Sequence, residues 1–107
     1  MAGINDFYKG ASPSQVAENI SKIYYGLTNA GIQAFVQETV QCDPSICSYV
    51  DDINELNAIL ASVFKSKLVR LGKLSFADGL SEELTHDGIH LNKKGYEIWI
   101  GKLRKTL

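Results

Sequence analysis

Apolar positions recur at helical spacing in three stretches of this chain. Val16, Ile20, Ile23 and Leu27 repeat at intervals of four, three and four, one stripe of a helix. Ser12-Pro13-Ser14-Gln15 precedes the stripe and supplies a cap, a proline for the first helical position and the glutamine of a capping box. With Gly31 as a stop, the pattern predicts a helix over 13–30. Ile32 to Val40 is short and rich in β-formers, and reads as a strand. Ser48 is placed to cap a second helix over 49–65, with Asp51 and Asp52 in its first turn and a stripe of Ile53, Leu56, Leu60 and Val63. Leu68–Leu71 reads as a second strand, and 73–84 as loop with a helical turn near 81–83. Asn92 caps a last helix over 93–106, whose stripe is Tyr96, Trp99 and Leu103. Met1 to Gly10 reads as the end of a strand running into a loop.

Alternating units of this length predict an α/β layered fold with a parallel sheet. Two full strands are too few for three amphipathic helices, because a parallel sheet is normally covered on both faces and has more strands. The expectation is that the chain is part of something larger.

At 107 residues the length suits one small domain. A formal net charge of −1 carries no electrostatic footprint for nucleic acid. No apolar run approaches the roughly 20 residues that span a bilayer, and no signal peptide is expected from Met1-Ala2-Gly3-Ile4-Asn5-Asp6. The compartment is not legible. Cys42 and Cys47 flank a Pro-containing loop and read either as a small disulfide, with Cα atoms within about 7 Å, or as two reduced thiols.

Chemistry concentrates in Thr85-His86-Asp87-Gly88-Ile89-His90-Leu91-Asn92. Asp87 and His90 are three apart on a turn feeding a helix, so the carboxylate can orient the imidazole and stabilise its charged form. His86 reads as an exposed neighbour. A metal site built from His86, Asp87 and His90 is a poor reading, since adjacent positions rarely point at one ion. No cofactor is expected.

Gly3-Ile4-Asn5-Asp6 and Asp87-Gly88-Ile89-His90, followed by Leu91-Asn92-Lys93-Lys94-Gly95-Tyr96, together resemble the Gly-x-Asn-Asp and Asp-x-x-His blocks of the SGNH (GDSL-type) hydrolases. The resemblance covers essentially this whole chain, but only the C-terminal half of that family's domain. It implies a partial flavodoxin-like three-layer sandwich with a parallel sheet, lacking the N-terminal strands. It also implies a serine esterase or lipase acting on a small acyl ester. Carried over, His90 is the general base, Asp87 orients it, and Asn5 donates its amide to the oxyanion. A fixed donor there is worth about 3 kcal/mol.

The family's Gly-Asp-Ser nucleophile block is absent. None of the nine serines (12, 14, 21, 45, 48, 62, 66, 75 and 81) falls on a strand-to-helix nucleophile turn. Met1 is therefore expected to be an internal methionine of a longer ancestor, or the chain a fragment. The expected partners are a complementing N-terminal half or further copies of the chain. The alternative is a non-catalytic remnant kept as a binding or assembly module.

Overall fold

A computed structural model of the protein describes residues 4–106. Helices α1 (Ile4–Tyr8), α2 (Pro13–Asn29), α3 (Val50–Phe64) and α4 (Lys93–Thr106) alternate with strands β1 (Val36–Gln37) and β2 (Leu68–Val69). The strands pair in parallel, with Val36 opposite Leu68 and Gln37 opposite Val69. The coarse expectation of an α/β fold with a parallel sheet holds. A flavodoxin-like sheet is not among the observations.

Local chemistry sets the helix ends. Ser12 caps α2 through a complete capping box with Gln15, and Pro13 opens the helix. At the other end Gly31 has φ +82°. The Ile32 N–H reaches the Leu27 carbonyl and the Gly31 N–H reaches that of Thr28, a Schellman ending. Asn92 caps α4 by accepting from the Gly95 N–H at 3.0 Å. Ser48 does not cap α3. The cap position is Tyr49, which makes no side-chain cap bond, and its N–H points at Cys47 Sγ instead. The first turn of α3 is left to Asp51 and Asp52.

Period-two alternation divides the core across the sheet. Val36 and Leu68 join Phe7, Val16, Ile53, Leu56 and Leu60 under α2 and α3. Val69, Leu71, Leu74, Leu84 and Leu91 pack with Phe35, Trp99 and Leu103 on the α4 side. Helices thus cover both faces of a sheet that is only two strands wide.

Three expectations need correction. The strands are much shorter than 32–40 and 68–71, because side chains replace the ladder beyond Gln37. Asn57 takes both the N–H and the C=O of Thr39, and the Glu38 carboxylate takes the Leu71 N–H. The stretch read as strand and loop before Gly10 contains α1, anchored by Phe7, which is buried and stacks on Tyr49. The strand end expected at Met1–Gly3 lies outside the described residues. Finally, parts of the stripes are uncovered: Ile23 and Leu27 of α2, Val63 of α3 and Tyr96 of α4 are all exposed. Phe64 is the buried residue at the end of α3.

The uncovered residues of α2 have a common cause. Glu38 N–H donates to the Val69 carbonyl, so the backbone of Gln37 faces away from β2. Along that open edge runs a groove of about 290 Å3, lined by Ile20, Ile23, Tyr24 and Leu27 of α2 and by Ala34 to Glu38. No described element covers it.

Asn57→Ala tests the side-chain substitute for the ladder. It removes the Asn57 bonds to two backbone groups of Thr39, which is buried, and should cost about 2–4 kcal/mol. The measurement is the urea midpoint at unchanged m-value; a loss under about 0.5 kcal/mol would contradict the assignment.

Candidate active site

Thr85 starts the turn that carries Asp87 and His90. It forms an antiparallel bridge with Leu91, so the chain leaves and returns at one point. The Thr85 hydroxyl donates to the His90 carbonyl at 2.6 Å and accepts from the Gly88 N–H at 2.9 Å. Gly88 has φ +89°, which favours glycine. Below the bridge, Asn92 ties the turn to α4: its N–H donates to the Leu84 carbonyl and its side chain to that of Glu83.

This frame gathers three donors on one carboxylate. Asp87 Oδ1 accepts from the His90 N–H at 2.7 Å and the Ile89 N–H at 2.9 Å. Asp87 Oδ2 lies 2.6 Å from His90 Nδ1. The backbone bond from His90 leads in holding the Asp87 carboxyl well below the usual carboxylate range, followed by the His90 ring and the Ile89 N–H. An ionised Asp87 has no proton to donate, so the short contact requires Nδ1–H on the imidazole. In the neutral ring this leaves Nε2 as the free base.

Asn5, in the first turn of α1, and His90 line one cavity of about 250 Å3. Its other walls are Ile4, Thr39, Val40, Ile89, Leu91 and Tyr96. Asn5 and His90, from opposite ends of the chain, thus line one cavity, and Asp87 meets His90 without being part of its lining. Tyr96 was expected in the core; it is exposed and forms a wall of this cavity. Thr39 and Val40 were not singled out. Their signal was position, at the carboxyl end of β1, where α/β sheets place ligands.

The site is open. The side chains of His90 and Asp87 are 68% and 41% exposed. His86 is exposed, and its ring stacks on that of His90. Among the described residues no group of three or more His, Cys, Asp or Glu side chains could hold a metal ion, and none of the helices is long and apolar enough to cross a membrane. Several serine hydroxyls are used elsewhere: Ser12 accepts from the Gln15 N–H, and Ser45 donates to Asp43, Ser62 to the Ile59 carbonyl and Ser75 to Glu38.

Cys42 and Cys47 form a disulfide with Cα atoms 6.1 Å apart, the bonded one of the two readings. Its loop packs directly on the Asp87–His90 turn through a bond from the Asp43 N–H to the Gly88 carbonyl.

The donors around Asp87 give a pH signature. Its folded value is depressed, so its contribution to stability is present above the unfolded value, near 3.8, and is lost as pH falls through the folded value. Carbon-13 titration of the Asp87 carboxyl should give a midpoint well under 3.8. In His90→Ala the midpoint should rise only partly, because the backbone N–H donors remain. A wild-type midpoint at the ordinary value would contradict the geometry.

The chain matches no known protein-family model, no curated protein and no solved structure.

Proposed function

We propose that this chain is the base-bearing half of an SGNH-type acyl ester hydrolase, whose flavodoxin-like sheet a complementing N-terminal half would complete. One observation carries the reading: Asn5 lines the same cavity as His90, and His90 is held by Asp87 at 2.6 Å. In the proposed reaction a hydroxyl attacks the acyl carbonyl and its proton passes to His90 Nε2. The oxygen that becomes negative accepts from the Asn5 amide. Collapse expels the alcohol, which takes the proton from Nε2, and water repeats the sequence to release the acid. Asp87 holds the ring in the required tautomer and stabilises it while charged.

The openness of the site fits an incomplete enzyme. An exposed dyad works against solvent screening, and donors aimed at a developing oxyanion gain most where water is excluded. A preceding half carrying Gly-Asp-Ser would supply the nucleophile. Its strands would also cover the groove along β1. The same groove supports a second reading, a non-catalytic assembly module whose open edge is covered by another copy.

Activity separates the two. The chain alone should hydrolyse p-nitrophenyl acetate no faster than free imidazole. Fusion to an upstream half with Gly-Asp-Ser should restore turnover, and His90→Ala should then cost several orders of magnitude, Asp87→Ala somewhat less. A well-folded fusion without turnover would leave the module reading. Robust activity from the bare chain, with a phosphonate labelling one of its own hydroxyls, would overturn the split of the machinery.

Either reading covers the open edge. Light scattering of the chain alone should therefore show a dimer or higher oligomer whose population grows with concentration. A stable monomer across the series would count against self-association through the groove.

A further inference from the structure

The disulfide and the Asp87–His90 turn are in mechanical contact. The Asp43 N–H donates to the Gly88 carbonyl at 2.8 Å, and Asp43 directly follows Cys42. Ile46, directly before Cys47, lies so close to Gly88 that a Cβ there would fall 2.5 Å from its Cγ1. Both contacts on the turn are thus made by residues adjacent to a half-cystine. Gly88 is also the middle of the turn: its neighbours, Asp87 and Ile89, make one of the carboxylate's bonds. Moving the loop moves Gly88, and moving Gly88 changes how Asp87 meets His90.

We propose that the Cys42–Cys47 bond is a redox-sensitive latch that holds the Asp87–His90 turn in its paired geometry, and that reduction by a dithiol frees the turn while the helical core stays folded. Cys42 is fully buried and Cys47 is 6% exposed, so the entering thiolate attacks Cys47 Sγ. That step forms a mixed disulfide and releases the Cys42 thiolate, which takes up a proton. The second thiol of the reductant then displaces Cys47, leaving two protein thiols and one oxidised dithiol. Freed of the cross-link, residues 43–46 keep the Asp43 N–H bond to the Gly88 carbonyl beside short-range bonds such as Ile46 N–H to the Asp43 carbonyl and Ser45 to the Asp43 carboxylate. The inference rests on the geometry of the turn and holds whether or not the site hydrolyses esters.

The test is amide hydrogen exchange of the nitrogen-15-labelled chain before and after dithiothreitol, with thiols counted in each sample. In the reduced chain the Ile89 and His90 N–H groups, both bound to Asp87 Oδ1, should exchange at least tenfold faster. The amides of Leu56 and Leu60 in α3 should change less than twofold. Ile46→Gly in the oxidised chain removes the contact on Gly88 without touching the bond. It should accelerate the same two amides by a smaller factor, and its side chain is 60% exposed, so the fold should survive. Unchanged exchange at Ile89 and His90 after complete reduction would overturn the latch. So would equal acceleration in α3, which would make the bond a general staple, or a disulfide that resists excess dithiothreitol in the folded chain.

Discussion

The Asp87–His90 turn depends on one carboxylate satisfying three donors. Asp87 binds two backbone N–H groups through one oxygen and the His90 ring through the other. The backbone bonds form only if the chain reverses tightly between residues 87 and 90, and that reversal needs Gly88 in the left-handed region. Thr85 closes the turn from inside, Asn92 fastens it to α4, and the disulfide loop presses on it from outside. A carboxylate so held stays ionised, and an ionised carboxylate dictates the imidazole tautomer. The geometry of the Asp87–His90 pair is thus a consequence of the turn rather than of burial.

The sheet sets what the turn can face. Two parallel strands with helices on both faces place the end of β1, Thr39 and Val40, against the His90 turn and α1. The same narrow sheet leaves the Gln37 edge and the α2 stripe without a cover. The cavity and the groove thus both border β1 and the residues that follow it. The cavity brings together an amide and an imidazole, and the groove offers an apolar strip beside unpaired main chain.

Local signals were the most legible ones. Ser12, Pro13, Gln15 and Gly31 mark the ends of α2, and Asn92 that of α4, because caps and stops act within a few residues. The Asp87–His90 pair was readable for the same reason, being a contact three residues apart. Strand lengths were not, since they depend on Asn57 and Glu38 reaching across the fold to take the backbone bonds of Thr39 and Leu71. Nor was α1: its five residues carry little helical signal, and burial of Phe7 against Tyr49 stabilises it from far along the chain. Ile23 and Leu27 looked like core because periodicity reports which face is apolar, not whether anything covers it. Ser48 failed as a cap because α3 enters one residue later, at Tyr49, whose N–H turns to Cys47 Sγ.

The tautomer of His90 is the most direct measure of whether this turn builds a general base. Nitrogen-15 spectra of the ring, recorded above its titration, distinguish a protonated Nδ1 from a protonated Nε2. The pairing with Asp87 requires the proton on Nδ1 and a free lone pair on Nε2, and Asp87→Asn should abolish that preference. A ring protonated on Nε2 in the wild-type chain, or one divided evenly between the two forms, would contradict the arrangement.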